Sequence, residues 1–192
     1  MWENVAYLAD DTRRRAAFEQ LRLEVGLTPQ AILDAPPRAL RRVTSHGILP
    51  DRFAAKLRDA ARLATAAFGG DLRAALRRPP DQAKRALRRF PGIGEPGAEK
   101  ILLFSGRQPL LAPDSNALRV LQRLGLVPKF KGYAAQYAAA RELARRQLGE
   151  GIKTVQAAHQ LLRLHGRTLC TRSAPACDRC PLAPECPYAR RG

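Results

Sequence analysis

Apolar residues recur along the chain at the three- to four-residue spacing of helices. After Pro50, for example, Ala54, Leu57, Ala61, Ala64 and Phe68 fall on one face before Gly69 and Gly70 end the pattern. Similar runs, bounded by Pro, Gly and capping residues, predict helices at about 11–25, 29–35, 37–46, 71–77, 81–89, 96–105, 115–124, 133–148 and 153–165. Gly166 is predicted to end the last one. Strand-like alternation is nearly absent, so the pattern predicts an all-α protein.

The end of the chain has a different character, with short turns and every cysteine. Cys170, Cys177, Cys180 and Cys186 lie in "CTRSAPACDRCPLAPEC" with the spacing C-x6-C-x2-C-x5-C. This spacing predicts one loop that wraps one metal centre. Two disulfides are disfavoured in a cytoplasmic chain, whereas a four-cysteine zinc site remains an alternative. A [4Fe–4S] cluster needs four thiolates around a larger body, which suits a compact loop.

Charge favours a polyanionic partner. The chain has 34 basic and 17 acidic residues and a formal net charge of +17. A composition bias of the genome can explain why most basic residues are arginine, but it does not explain their excess over acids. Nucleic acid is therefore the expected partner. No segment has the length and apolarity of a membrane span or a secretion signal, which predicts a cytoplasmic protein without a membrane partner.

The stretch "FPGIGEPGAEKILLFSG" at residues 90–106 predicts a tight turn followed by a helix. Gly92 and Gly94 allow close approach of the backbone, and N–H groups at the start of the next helix can face an anion. Basic residues in "KRALRRF" precede the turn, and Pro113-Asp114 follows about twenty residues after Gly94. Taken alone, the glycines fit an ordinary helix-connecting turn equally well.

The order of these elements resembles the helix–hairpin–helix plus Gly/Pro loop plus Asp arrangement of the endonuclease III-like DNA glycosylases. The segment "LHGRTLCTRSAPACDRCPLAPEC" is similar to the cluster loop of the same family. The resemblance implies a two-lobed helical glycosylase fold. Residues 1–127 would form a six-helix barrel lobe with the hairpin at about 90–97. Residues 128–192 would form a smaller lobe with the cluster loop at 170–186.

The same resemblance implies what the residues do. Asp114 would be the catalytic aspartate, although a plain helix N-cap is the simpler reading of its position. The four cysteines would hold a [4Fe–4S] cluster. The partner would be double-stranded DNA with a damaged or mismatched base, bound by a nucleoid-associated monomer that flips the base out of the duplex. The implied DNA-binding residues are Arg88, Arg89, Gly92, Ile93, Gly94 and Arg119. Asp10 falls where the family has a glutamine that helps to fill the gap left by the base.

Pro96 occupies the position at which bifunctional members of this family carry a lysine. That lysine forms a Schiff base with the sugar and thereby allows strand cleavage. Proline has no amine, so the resemblance implies a monofunctional glycosylase that leaves the strand intact. Lys100 lies one helical turn further along and is the one candidate for a displaced nucleophile.

Two other functions remain open on the sequence. A non-catalytic relative could bind distorted DNA with the same hairpin, although the presence of Asp114 counts against it. A zinc-bearing DNA-binding regulator would use the cysteines differently, and its purified protein would be colourless.

Overall fold

The computed structural model describes residues 1–191, and over that range it consists of helices and their connections. The α-helices are α1 Trp2–Val5, α2 Asp11–Glu24, α3 Pro29–Asp34, α4 Pro37–Thr44, α5 Pro50–Phe68, α6 Leu72–Arg77, α7 Pro80–Leu87, α8 Glu95–Phe104, α9 Ser115–Arg123, α10 Tyr133–Leu148 and α11 Ile152–Thr168. Short 3₁₀ turns occupy Cys177–Arg179, Ala183–Glu185 and Ala189–Arg191. Residues 1–191 contain no β-strand, which confirms the predicted all-α class.

The chain divides into two compact units, Met1–Gly94 and Glu95–Gly192. The first unit contains α1 to α7 and ends with the turn of the predicted hairpin. The second contains α8 to α11 and all four cysteines. The lobes 1–127 and 128–192 implied by the family resemblance stay a prediction. Among the described residues, no helix is both long enough and apolar enough to cross a membrane.

Helix starts follow the capping residues in the sequence. The backbone N–H of Arg13 donates to the carboxylate of Asp10 at 2.9 Å, and that of Ala31 donates to the Thr28 hydroxyl at 3.1 Å. Such side chains satisfy N–H groups that have no partner within the helix. The helices at Pro29, Pro37, Pro50 and Pro80 each begin with proline, whose missing N–H costs nothing at that position.

The core of the first unit supports the turn that precedes α8. Leu21, Leu40 and Leu57 are buried where α2, α3 and α4 pack near α5. A second cluster joins Phe68 at the end of α5 to Phe90 at the start of the turn, with ring centroids 5.9 Å apart. The turn is therefore anchored by an aromatic pair in the core of its own unit.

The second unit is built around the packing of α9 on α11. Gly166 was expected to end α11, but the helix continues to Thr168, so that prediction is wrong. A Cβ atom at Gly166 would lie 2.7 Å from the Asn116 carbonyl oxygen. Glycine is therefore needed here because the two helices approach closely.

Buried apolar residues also fix the loop that leads to α9. Leu111 is buried together with Leu103, Ala144 and Val155, and Pro113 is fully buried. Leu118 and Leu121 of α9 pack with Val127 and Ala140 on the other side. Asp114 consequently lies between two packed segments and has a defined position at the start of α9.

Candidate functional site

Asp114 is the N-cap of α9, and its two carboxylate oxygens have different surroundings. Oδ1 accepts hydrogen bonds from the backbone N–H groups of Asn116 and Ala117 at 3.0 and 2.9 Å. Oδ2 lies 3.3 Å from Asn116 Nδ2 and 3.6 Å from Arg163 Nε on α11. The Asp114 side chain is 36 % exposed. The helix therefore orients a carboxylate that still reaches solvent.

The backbone before Asp114 is held by side chains from two other helices. Tyr133, the first residue of α10, donates its hydroxyl to the carbonyl oxygen of Pro113 at 3.3 Å. The ring of His159 on α11 hydrogen-bonds to the backbone of Ala112. Three consecutive residues, 112 to 114, are thus each contacted by a polar side chain of α10 or α11.

The pKa values of Tyr133 and His159 reflect both burial and nearby charges. Burial raises the pKa of Tyr133, and the negative charge of Asp114 raises it further. Burial lowers the pKa of His159 below its usual value; the charges of Lys100 and Arg163 add to this, whereas Asp114 opposes it. His159 Nδ1 has no hydrogen-bond partner within the described residues. A buried, neutral imidazole therefore lies among three charged groups.

A cavity of about 370 Å³ opens beside the N-terminus of α8. Pro96 lies in the first turn of α8, as the sequence predicts, and lines this cavity with Leu110, Tyr133 and Tyr137. Tyr133 also bonds to the residue before Asp114. Tyr133 therefore connects the cavity beside Pro96 with the segment that carries Asp114.

Glu99 is a buried polar residue behind this cavity, and the sequence analysis did not identify it. Its side chain is fully buried, and its carboxylate accepts hydrogen bonds from Tyr137 at 2.5 Å and from Arg141 at 2.7 Å. Tyr137 and Arg141 both line the cavity. The sequence did contain one indication that Glu99 is buried: it lies on the same face of α8 as Leu102 and Leu103.

The predicted hairpin residues lie on an exposed turn of the first unit. Arg88 and Arg89 are exposed after α7, and the backbone N–H of Ile93 donates to Phe90 O at 3.0 Å. Gly92 has φ +79°, and a Cβ atom there would lie 2.6 Å from Asn4 Oδ1. Gly94 is the last, exposed residue before α8. The predicted DNA contacts of these residues stay predictions.

The short helix α1, which was not predicted, helps to hold this turn. Asn4 is buried, and its Nδ2 donates to the carbonyl oxygen of Pro91 at 2.8 Å. Just after α1, Leu8 is 70 % exposed with φ +55°; Leu49, before α5, is 49 % exposed with the same φ. The two loops are joined by a backbone hydrogen bond from Ile48 to Tyr7. Leucine rarely adopts this left-handed conformation, so the structure holds both residues in strained, exposed positions.

Arg119, also predicted to bind DNA, is used within the second unit. Its Nε donates to Cys170 O at 2.9 Å, and its Nη2 donates to Gly166 O at 2.6 Å. Arg123, one turn later on α9, donates to Thr171 O at 2.7 Å and lies 3.3 Å from the Cys170 sulfur. Two arginines of α9 thereby fix the start of the cysteine loop. A DNA contact by Arg119 stays a prediction.

The four cysteines are free thiols that line one cavity. Apolar side chains that include Leu124, Leu169 and Leu182 complete its wall. His165 Nε2 lies 3.6 Å from the Cys180 sulfur, and the Arg123 carbonyl oxygen lies 3.4 Å from the Cys186 sulfur. Within residues 1–191, no group of three or more His, Cys, Asp or Glu side chains is arranged to hold a metal ion. Four cysteine side chains around one largely apolar cavity are the donor set that an iron–sulfur cluster uses.

The sequence is similar to endonuclease III proteins, although no protein-family model matches it. It is 34 % identical to endonuclease III of Rickettsia conorii over 106 residues, which is 54 % of this chain and 46 % of that protein. It is 27 % identical to endonuclease III of Thermotoga maritima over 168 residues, 88 % and 72 % of the two chains. A third relative, the DNA glycosylase/AP lyase ROS1 of Arabidopsis thaliana, is 29 % identical over 56 % of this chain and 8 % of that protein. The chain spans about half the length of the first of these relatives.

Solved structures show the same fold. The chain matches an endonuclease III solved in a non-covalent complex with DNA with a TM-score of 0.80 and 18 % identity, over 99 % of this chain and 82 % of that one. The chain is thus similar to endonuclease III in sequence and in fold. A thermostable thymine-DNA glycosylase also has this fold, with a TM-score of 0.77 and 17 % identity over 100 % and 82 % of the two chains.

The predicted resemblance to endonuclease III and the all-helical fold are confirmed. The roles of Asp114, the hairpin residues and the four cysteines stay predictions that the geometry makes specific. Tyr133, His159 and Arg163 are additional residues near Asp114 that the sequence did not single out. They come from helices 19 to 49 residues further along the chain, so no local pattern links them to Asp114.

Proposed function

We propose that this protein is a base-excision-repair DNA glycosylase that hydrolyses the N-glycosidic bond of a damaged or mismatched base with Asp114. The orientation of the Asp114 carboxylate by two backbone N–H groups of α9 is the observation that carries the proposal. A carboxylate fixed in this way can stabilise positive charge on the deoxyribose as the bond breaks, and can orient the attacking water. Similarity to endonuclease III supports the assignment.

The reaction is proposed to stop at base release. Pro96 stands where a Schiff-base lysine would be needed, and it lines the cavity next to Tyr133. Without a primary amine at this position, no imine with the sugar forms there and β-elimination has no covalent intermediate. The product is then an abasic site in an intact strand.

A second candidate is a glycosylase that also cleaves the strand with Lys100. Lys100 on α8 acts electrostatically on His159, as does Asp114, so both lie near the same imidazole. One relative is named as a DNA glycosylase/AP lyase, which keeps this reaction within the range of similar proteins. The lysine would have to reach the sugar carbon from one turn beyond Pro96.

DNA binding is proposed to use the turn at 88–94 for phosphate contacts and the loops of Leu8 and Leu49 for the base stack. The turn offers two exposed arginines, and Gly92 lets it pack closely against Asn4. Leu8 and Leu49 present exposed apolar side chains that can fill the gap left by a flipped base. Asp10, by contrast, is occupied as the N-cap of α2.

We propose that Cys170, Cys177, Cys180 and Cys186 hold a [4Fe–4S] cluster. When bound, the cluster would cross-link the loop through its four thiolates. Arg119 and Arg123 would hold the loop against α9 whether or not the cluster has any further role.

The decisive experiment uses end-labelled duplexes with uracil, thymine mismatches, oxidised pyrimidines or alkylated purines. Each reaction is divided and analysed with and without hot alkali, which cleaves the strand at an abasic site. We expect breaks only after alkali, on at least one duplex. Breaks without alkali that disappear in Lys100→Ala would favour the second candidate. No break on any duplex that the protein binds would overturn the glycosylase proposal.

A further inference from the structure

Arg163 on α11 forms an ion pair with the carboxylate of Asp114. Its Nε is 3.6 Å from Asp114 Oδ2, and both side chains are 36 % exposed. An ion pair with this much solvent access contributes little to stability. Arg163 can therefore leave the Asp114 carboxylate for a partner that binds it more strongly, at little cost in stability.

The surroundings of the pair favour an additional anion. Lys100, Arg163 and Asp114 all act on the buried ring of His159, which gives two positive groups and one negative group at this point. Asp114 also caps the N-terminus of α9, where the helix dipole adds positive potential. The single negative charge of Asp114 does not neutralise Lys100, Arg163 and the positive end of α9 together.

The ion pair between Arg163 and Asp114 also opposes the catalytic role proposed for Asp114. A carboxylate that stabilises positive charge on the sugar works best when no cation shares it. In the free protein, the Arg163 guanidinium occupies one side of Asp114 Oδ2. A guanidinium binds phosphate through paired N–H groups, so a DNA phosphate is the natural competitor for it.

We propose that Arg163 is a positioning residue that pairs with Asp114 in the free protein and transfers to a backbone phosphate when DNA binds. The exchange removes the Arg163 guanidinium from Asp114 only when DNA is present, so activation of the carboxylate depends on the substrate. This inference rests on the proposed function for its catalytic consequence, but the exchange itself is a property of binding.

The first test measures binding to a duplex with a tetrahydrofuran abasic-site analogue at several salt concentrations. Arg163→Gln should make the slope of log K against log salt shallower by about 0.9, the value for one phosphate contact. Arg163→Lys should restore it. Arg62→Gln is the matched control, because Arg62 pairs with Asp59 on the surface of α5. An unchanged slope in Arg163→Gln, or an equal change in Arg62→Gln, would overturn the proposal.

A double-mutant cycle tests the exchange directly. Asp114→Asn removes the competing carboxylate, so it should tighten binding to the same duplex by roughly two- to fivefold, the range of an exposed ion pair. In an Asp114→Asn/Arg163→Gln double variant this gain should be absent. A gain that persists without Arg163 would mean that Asp114 simply repels DNA, and the exchange would be excluded.

These measurements need no base release. If wild-type protein releases no base from any duplex, the proposed function fails while the binding cycle still reports on the exchange. If base release occurs but the cycle shows no coupling between Asp114 and Arg163, the exchange fails and the glycosylase proposal stands.

Discussion

At the scale of residues, the buried carboxylate of Glu99 affects the candidate site through the two side chains that it contacts. Its oxygens accept from Tyr137 and Arg141, which are two of the residues that line the cavity beside Pro96. Burial, followed by the hydrogen bond to Glu99, raises the pKa of Tyr137, so its hydroxyl stays protonated and continues to donate. Glu99 thus orients two cavity side chains at once.

Tyr137→Phe should lower the free energy of unfolding by roughly 1–3 kcal/mol, because it leaves a buried carboxylate with one donor fewer. Tyr188→Phe is the control, since Tyr188 is 42 % exposed and its ring lies under Arg123. Denaturant unfolding of both variants measures the difference. Equal stability of the two would show that the Glu99 contact contributes nothing.

His159 should make stability depend on pH. Because its pKa in the folded protein is below the ordinary value of 6.5, the unfolded chain binds a proton more readily. The destabilising contribution is therefore absent well above pH 6.5 and grows as the pH falls below it. Thermal unfolding between about pH 5 and pH 8 should show the Tm of His159→Gln gaining on that of wild type as the pH decreases. A constant Tm difference would contradict the lowered pKa.

At the scale of elements, helix boundaries were predictable because they depend on local chemistry. Caps such as Thr28 and prolines at helix starts lie within a few residues of what they control. Gly166 was misinterpreted because its role depends on Asn116, fifty residues earlier. Asp114 could be proposed from its motif, whereas Tyr133 and Arg163 depend on how α10 and α11 pack.

The paired loops before α2 and α5 are also a tertiary feature, and they give a prediction of their own. Leu8→Ala should slow base release by roughly tenfold. An apolar side chain inserted into the base stack compensates for the stacking energy that is lost when the base leaves the duplex. Leu23→Ala is a matched control, since Leu23 is 72 % exposed against 70 % for Leu8 but lies on α2. Single-turnover rates compare the two variants. Equal rates would place Leu8 outside the DNA contact.

At the scale of the whole molecule, the net charge of +17 supports binding to a polyanion, and the two units divide the candidate features between them. The first unit carries the hairpin turn and the exposed leucines. The second carries Asp114, the cavity at Pro96 and the cysteine loop. The sequence motifs indicated these features separately, because each motif lies within a single stretch of chain.

The cysteine loop predicts a brown protein with about four iron atoms per chain. Cys180→Ser should lose most of this iron, while Asp178→Asn should keep it, because it changes the 3₁₀ turn just before Cys180 without removing a thiol. Metal analysis and visible absorption measure both. Stoichiometric zinc in a colourless protein would contradict the cluster, and unchanged iron in Cys180→Ser would contradict the ligand set.

The central proposal is best tested by measuring the free base released from one substrate duplex by wild type and by Asp114→Asn. Asp71→Asn is the control, because Asp71 caps α6 in the same way, with its carboxylate 2.9 Å from the backbone N–H of Arg73. We expect Asp114→Asn to lose roughly a hundredfold or more in rate while it still binds DNA, and Asp71→Asn to keep its rate. Base release by Asp114→Asn at the wild-type rate would contradict the assignment of Asp114 as the catalytic residue.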